Sequence, residues 1–274
     1  MPENFLEQDN LEVAPNLDRF DRRIQILGVG VSLVNLEIAT ARIVSWAKMR
    51  VSHYVCVRDV HGIMQAQDDP EFVKIHENAG LVTPDGMPLV WISRLRGFRS
   101  VRRVCGADLV DELCAASVPL GLRHFFFGGK PGVAQRMAMH LSARHPGLEV
   151  AGTMCPSFEE LSAEEDEEVI SSISKTTPNI IWVGMSTPKQ EYWMRDHVGK
   201  IPGATIIGVG AAFDFYAGDV VRAPLWMQRS GFEWLHRLCS EPRRLWRRYL
   251  VLAPKFVFRF VITELFLHGK NRSS

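Results

Sequence analysis

Short apolar runs alternate with amphipathic helical patterns along most of this chain, and that alternation constrains its fold more than any other feature. The apolar runs predict buried strands at 24–31, 54–57, 81–83, 123–127, 148–153, 180–184 and 205–209. Helical spacing fills the intervals, at 36–49, 61–67, 70–78, 89–95, 108–117, 133–144, 163–174 and 189–197. Strands separated by helices in this way are typical of βαβ units. We therefore predict an α/β fold with a Rossmann-like, doubly wound parallel sheet.

The pattern changes after Gly218, where no further strand is predicted. Helices are expected at 225–239, 242–252 and 256–268, with Pro254 interrupting the last two. We divide the chain into a lead at 1–22, a core at 23–218 and a C-terminal helical appendage at 219–274. The lead is polar and acidic, so it is not expected to be a signal peptide.

The appendage is basic and aromatic. Eleven Lys/Arg face four Asp/Glu in 219–274, whereas the whole chain has a net charge of +1. Trp226, Trp234, Trp246, Tyr249 and the phenylalanine-rich stretch 256–262 lie among these charges. Arginines beside aromatic residues favour contact with an anionic membrane surface. A buried C-terminal helix or a homo-oligomer contact is the alternative, and nucleic acid is not expected because no binding motif is present.

Neither a metal nor a cofactor is predicted. The five cysteines are scattered without a CxxC pair, which fits a reducing cytoplasm better than a disulfide framework or a zinc site. HExxH and Asp-x-Asp motifs are absent from the sequence, and Asp68 and Asp69 precede Pro70 as residues at a helix start do. No GxGxxG pattern follows the first strand, which argues against a dinucleotide-dependent oxidoreductase.

Acidic and glycine-rich turns follow several predicted strands. Ligands of α/β proteins bind outside the carboxyl ends of the strands. Asp85, in a Pro-Asp-Gly turn, is a candidate general base, or it satisfies turn N–H groups. Gly128 and Gly129 open a helix and would let backbone N–H groups approach a phosphate, or they form a tight turn. Asp214 follows the last predicted strand and would contact a ligand, or it caps the next element.

Four blocks occur in a fixed order: LVTPDGMP at 81–88, FGGKPGVA at 127–134, VGMSTPKQE at 183–191, and GVGAAFDFYAG at 208–218 continued by RAP, GFEW and EPRR up to 244. Together they resemble the WecG/TagA/CpsF glycosyltransferases over roughly 24–250. The resemblance implies inverting, metal-independent transfer of a hexose or N-acetylhexosamine-type sugar from a UDP donor. The acceptor would be a polyprenyl-diphosphate-linked glycan for surface polysaccharide or wall polymer, at the inner face of the plasma membrane.

The resemblance also implies residue roles. Asp85 would be the general base, and Gln190 would contact the acceptor or the reacting sugar. The expected nucleotide-sugar set is Asp59, Gly106, Asp108, Gly128, Gly129, Lys130, Gly184, Met185, Lys189, Gly208, Gly210, Phe213 and Asp214. Cations for the diphosphate would come from the appendage, through Arg222, Arg237, Arg243, Arg244 and Arg247, with Arg248 as a further candidate.

One block departs from the family pattern. The family has Thr-x-Asn at the end of the second strand, and this chain has Val57, Arg58 and Asp59. A hydroxyl and an amide are therefore lost, and Asp59 becomes a second candidate carboxylate. The departure leaves the donor sugar open, and it keeps a non-catalytic membrane-docking partner of a polysaccharide assembly complex as an alternative.

Overall fold

A six-stranded parallel sheet lies at the centre of the computed structural model, which describes residues 22–156 and 162–270, apart from the side chains of Arg229 and 265–270. After an N-terminal hairpin of β1 (Arg23–Ile26) and β2 (Val29–Ser32), its strands are β3 (Tyr54–Arg58), β4 (Leu81–Pro84), β5 (Arg123–Gly128), β6 (Glu149–Met154), β7 (Ile180–Gly184) and β8 (Thr205–Gly208). They are ordered β4-β3-β8-β7-β5-β6, and every pairing is parallel. The predicted doubly wound α/β fold is confirmed.

The single strand predicted at 24–31 is wrong. Leu27 and Gly28 take positive φ angles of 48° and 80°, so the chain reverses there and β1 pairs with β2 antiparallel. Glycine adopts this backbone conformation without a steric penalty, so it ends an apolar run that otherwise looks continuous. The hairpin is joined to the sheet through Ser32, whose Oγ accepts from the Val82 N–H at 3.0 Å.

Helices cover both faces of the sheet. Those of the core are α1 (Leu36–Met49), α2 (Val60–Gln65), α3 (Pro70–Asn78), α4 (Met87–Leu95), α5 (Gly106–Ser117), α6 (Val133–Arg144), α7 (Ala163–Lys175), α8 (Lys189–His197) and α9 (Ala212–Ala217). Asn35, Asp69 and Ser162 begin α1, α3 and α7, and each side chain accepts an N–H from the first turn. Asp69 therefore starts a helix as the sequence predicted.

The core has two layers, one on each face of the sheet. Along β7, Ile180 and Trp182 belong to one cluster and Ile181 and Val183 to the other, and all four are fully buried. Side chains alternate between faces along a strand, so continuous burial means that both faces are covered. Residues of α1, α5, α6 and α9 pack on one side, and residues of α3, α4, α7, α8 and the hairpin pack on the other.

The appendage folds back over the carboxyl ends of the strands. It comprises α10 (Leu225–Ser230), α11 (Glu233–Ser240), α12 (Pro242–Trp246), a π-helical segment (Arg247–Leu252) and α13 (Ala253–Lys270). The expected break at Pro254 is wrong, because this proline lies at the start of α13, directly after the wider π-helical turns. Phe256 is 2% exposed and joins the core cluster. Within the described ranges, no helix is both long enough and apolar enough to cross a membrane.

Candidate active site

A cavity of about 270 Å³ lies between the carboxyl ends of β3, β4 and β8 and the appendage. Its core wall includes Asp59, Asp85, Arg103, Gly106 and Val209, and its appendage wall includes Arg222, Glu233, Trp234, Arg237, Arg248 and Tyr249. From β3 the chain continues to β4 at one edge of the sheet, whereas β8, on the other side of β3, belongs to the half of the sheet that is formed later in the chain. The two halves are built outward in opposite directions from this point. Open α/β sheets bind their ligands at such a point, and the cavity lies there.

Asp85 lies at the floor of this cavity, directly after β4. Its backbone N–H donates to the Arg58 carbonyl at 2.7 Å, which fixes the turn. Burial raises the pKa of the Asp85 carboxyl to about 6, against the opposing effect of the Arg103 guanidinium. The negative charges of Asp59 and Glu233 raise it further. A carboxylate with this pKa is ionised at neutral pH and is a stronger base than an ordinary aspartate.

Asp59 has the opposite environment, although it follows the neighbouring strand β3. Its Oδ1 accepts from the Gly62 N–H at 3.2 Å at the start of α2, and its Oδ2 pairs with Arg248. Burial alone would raise the pKa of Asp59, but the Arg248 guanidinium above all, followed by His61 and the Gly62 N–H, lowers it to about 2. Asp59 is therefore a persistent anion engaged by the appendage, and a weaker base than Asp85.

Alternating charges join the core to the appendage beside Asp85. Arg103 Nη2 donates to Glu233 Oε2 at 2.8 Å. Arg222 Nε lies 3.3 Å from Glu233 Oε1, and Arg222 Nη1 lies 2.6 Å from Asp108 Oδ1. Glu233 thus bridges two guanidinium groups, one from each part of the chain. An incoming anion would have to replace this carboxylate or share its arginines.

Six predicted site residues line the cavity: Asp59, Asp85, Gly106, Arg222, Arg237 and Arg248. Asp108 joins them through Arg222. Gly106 begins α5, and a Cβ there would lie 3.0 Å from the Val209 carbonyl oxygen. Glycine therefore lets the start of α5 approach the end of β8.

The predicted glycine junctions lie elsewhere, between β5, β7 and α9. Gly128 has a φ of 146°, and a Cβ there would lie 2.6 Å from the Gly184 backbone nitrogen. The Phe213 ring packs against Gly184 and is 1% exposed. Gly129 donates its N–H to the Gly184 carbonyl at 2.9 Å. In this structure these four residues make close packing contacts, and their nucleotide roles stay predictions.

The other predicted residues that do not line the cavity differ in burial. Lys130 and Lys189 are exposed, and the carboxyl of Asp214 has its pKa raised by burial against the effect of Arg244. Arg244 itself pairs with Glu241 at 2.8 Å. The remaining members of this group are Met185, Gly208, Gly210, Arg243 and Arg247. Their proposed contacts also stay predictions.

Gln190 is buried below the strand ends. Its Nε2 donates to Glu191 Oε1 at 2.7 Å, and Glu191 forms a buried ion pair with Arg58 at the end of β3. The Gln190 Oε1 atom has no hydrogen-bond partner among the described residues. Gln190 is 3% exposed and does not line the cavity, so its predicted contact with a sugar is untested.

Sequence reasoning missed Arg103 and Glu233. Arg103 lies between predicted elements in an arginine-rich stretch, and nothing in that stretch distinguishes it from its neighbours. Glu233 belongs to the GFEW block, so the family pattern contained this residue, but nothing in the sequence indicated its function. Trp234 and Tyr249 were assigned to a membrane interface, yet they line the cavity with ring centroids 5.8 Å apart.

The described part of the chain was predicted to hold no metal ion. No three His, Cys, Asp or Glu side chains lie there in an arrangement that would hold a metal ion. Metal independence stays a prediction, tested by transfer in the presence of a chelator.

Comparison with known proteins gives consistent results. The model of the glycosyl transferase WecG/TagA/CpsF family matches residues 24–270. An N-acetylglucosaminyldiphosphoundecaprenol N-acetyl-beta-D-mannosaminyltransferase of Bacillus spizizenii is 31% identical over 193 residues, which cover 70% of this chain and 72% of that protein. A Bacillus subtilis protein of the same name is 28% identical over 240 residues, with 88% and 82% covered.

Proposed function

This chain belongs to the WecG/TagA/CpsF family and is a glycosyltransferase, and from that premise we propose its substrates. The donor is a UDP-linked N-acetylhexosamine, with N-acetylmannosamine the first sugar to test. The acceptor is N-acetylglucosamine linked through a diphosphate to a polyprenol. The names of the two bacillary relatives support this pair.

The single observation that carries the mechanism is Asp85 in the cavity, with a pKa raised to about 6. The acceptor hydroxyl oxygen attacks the anomeric carbon of the donor as the bond from that carbon to UDP breaks. The hydroxyl proton passes to Asp85, and UDP leaves with the bonding electron pair. One displacement of this kind inverts the anomeric configuration, and a positioned base contributes about 10²–10⁴-fold to such a step.

Arginines of the cavity wall stabilise the leaving diphosphate. Arg103 comes from the core, whereas Arg222, Arg237 and Arg248 come from the appendage. Guanidinium groups make paired hydrogen bonds to phosphate oxygens and need no proton transfer to do so. UDP would displace Glu233 from Arg103 and Arg222, or lie beside it, so binding of the donor and closure of the appendage would be coupled.

A lipid-linked acceptor requires the enzyme to work at a membrane. The appendage exposes large apolar side chains, including Leu225, Trp226 and Phe258, each about two-thirds exposed. It is also the basic part of the chain. We place the protein peripherally on the cytoplasmic face of the plasma membrane, where anionic lipids attract basic, aromatic surfaces.

The test is transfer from UDP-N-acetylmannosamine to a short-chain, soluble form of the diphosphate-linked acceptor, followed by mass spectrometry. Asp85→Asn should lower turnover by about 10²–10⁴-fold, because an amide accepts no proton. UDP should still raise the melting temperature of the variant, since a ligand that binds only the native state stabilises it.

Asp69→Asn is the matched control for this test, because Asp69 starts α3 outside the cavity and an amide also caps helices. It should retain wild-type turnover. If Asp85→Asn also does, Asp85 is not the base, and Asp59→Asn becomes the next variant to measure.

A further inference from the structure

Helix α4 exposes an apolar side that its packing on the sheet does not use. Leu89 and Ile92 are buried, whereas Trp91 is 51% exposed and Leu95 is 84% exposed. Residues four apart lie on the same side of a helix, so Trp91 and Leu95 are neighbours on the surface. Together with Arg94 and Arg99 they line a shallow groove, which we call the α4 groove.

Two of the four residues that line the α4 groove are arginines, and three more arginines are close in sequence. The stretch 86–107 contains five arginines and no Asp or Glu. Arg96 and Arg103 pair with Glu264 and Glu233. The other three have no carboxylate partner among the described residues: Arg94 and Arg102 bond to backbone carbonyls, and Arg99 is exposed.

We propose that the α4 groove is a second membrane-docking surface, on the core rather than on the appendage, and that its partner is an anionic phospholipid bilayer. Trp91 and Leu95 would enter the interface, while the arginines would pair with lipid phosphates. Apolar side chains flanked by cations bind anionic interfaces in this manner. The proposal rests on the proposed function only in that a lipid-linked acceptor brings the enzyme to a bilayer.

The groove is continuous with the active site and with the appendage. Trp91 lines both the α4 groove and the active-site cavity. Arg96, near the end of α4, pairs with Glu264 and lies over the Phe260 ring at 5.7 Å, which joins α4 to α13. A bilayer at the groove would therefore reach the mouth of the cavity, and a lipid-linked sugar could enter without leaving the membrane surface.

A second copy of the chain is the less favoured occupant. A symmetric contact between two copies brings the same patch of each copy together. It would set the arginines of one groove against those of the other, and like charges repel. A bilayer with anionic head groups instead neutralises them.

The experiment measures flotation of the full-length protein with two kinds of vesicle at low salt, phosphatidylcholine alone and phosphatidylcholine mixed with phosphatidylglycerol. Arg99→Ala should weaken binding to the anionic vesicles about fivefold, the effect of one arginine at such a surface. Leu95→Glu should weaken it at least as much. Met139→Glu is the matched control, because Met139 is 72% exposed on α6, which packs beside β5 and β6 at the other edge of the sheet. Its binding should equal that of the wild type.

Transfer to the short-chain soluble acceptor should be the same in Leu95→Glu and wild type, which separates docking from catalysis. Wild-type vesicle binding by both groove variants would overturn the proposal, as would absence of wild-type binding to anionic vesicles. A sedimentation coefficient that falls in Leu95→Glu, with vesicle binding unchanged, would instead identify a contact between copies. If both groove variants bind the vesicles more weakly but the wild-type protein shows no transfer between the proposed substrates, the docking surface is supported and the proposed substrates are rejected.

Discussion

Asp85 and Asp59 follow adjacent parallel strands, yet their carboxyl groups have opposite pKa shifts. The difference comes from the cations that each one meets. Asp59 forms a direct ion pair with Arg248 of the appendage, whereas Asp85 is partly buried near Arg103 and has two other carboxylates close by. When two nearby acids have well-separated pKa values, the one with the higher pKa can serve as the base while the other stays ionised.

The pH dependence of transfer should report Asp85. The base must be deprotonated to accept the hydroxyl proton, so kcat/KM should fall as pH decreases through about 6, the pKa of Asp85. An unperturbed aspartate would place that fall near pH 4. The measurement is kcat/KM against pH with the soluble acceptor, and a profile that stays flat down to about pH 4.5 would contradict a raised pKa.

Glu233→Gln should move this fall to lower pH. The charge of Glu233 raises the pKa of Asp85, so removing the charge lowers that pKa, and the base stays ionised in more acidic solution. Arg103 and Arg222 lose a shared partner at the same time, so the KM for the donor should also change.

Glu71→Gln is the control for that shift, because Glu71 forms an exposed pair with Lys74, does not line the cavity and is not among the charges that shift the pKa of Asp85. Its profile should match that of the wild type. If Glu233→Gln also leaves the profile unmoved, Glu233 does not act on the base.

The sequence placed Asp85 correctly at a strand end, because a short apolar run followed by Pro-Asp-Gly is a local signal. It could not identify Arg103 or Glu233 as neighbours of Asp85. These groups meet only when α5, the strand ends and α11 come together, and burial and charge pairing depend on that long-range arrangement. A pKa is therefore harder to predict from sequence than a position in the fold.

At the scale of elements, the glycines where β5 meets β7 have two candidate roles, close packing and phosphate binding, and a substitution can distinguish them. Gly128→Ala would bring a Cβ to 2.6 Å from the Gly184 backbone nitrogen, so one strand end would have to move. We expect a loss of roughly 2–3 kcal/mol in the free energy of unfolding, since overpacking and strain at a positive φ both contribute. The measurement is urea denaturation.

Gly97→Ala supplies the matched substitution. Gly97 also has a positive φ, 94°, but a Cβ there would meet nothing within 4 Å. The free energy of unfolding of this variant should fall by only about 1 kcal/mol, the cost of a positive φ for a residue that has a Cβ. Equal losses in the two variants would mean that contact with Gly184 is unimportant, and lost UDP binding at unchanged stability in Gly128→Ala would favour a phosphate role.

Element boundaries were predicted less well than element order. The hairpin was read as one strand because its turn contains Leu27 and Gly28, an apolar residue and a glycine within an apolar run. Pro254 was expected to interrupt the last two helices, yet it lies at the start of α13. Proline lacks an N–H, which makes it a common helix breaker, but the π-helical turns before it accommodate it here. Hydrophobic periodicity identifies a segment, whereas its ends depend on single backbone angles.

At the scale of the whole molecule, the appendage forms one wall of the cavity that contains Asp85. Arg237 lines the cavity, whereas Arg247 does not and instead lies over the Trp246 ring at 5.4 Å. The composition alone shows that the appendage is rich in arginine. It does not show which arginines line the cavity, because that depends on the orientation of α11 and the π-helical segment.

Arg237→Ala should lower kcat/KM by about 10²-fold, the usual loss when one group that stabilises developing charge is removed. Arg247→Ala should stay within a factor of about two of the wild type, since exposed substitutions without a partner at the site have small effects. Steady-state kinetics with the soluble acceptor measure both. The reverse order of effects would mean that the appendage takes a different position over bound donor.

The π-helical segment between α12 and α13 limits which insertions and deletions this protein can tolerate during evolution. Adding or losing one residue in a helix rotates everything beyond it by about 100°. Arg248 and Tyr249 would then turn away from the cavity, or Phe256 would leave the core. Lineages should therefore exchange amino acids freely at the outward positions Leu250 and Val251 while keeping the number of residues from 247 to 252 constant.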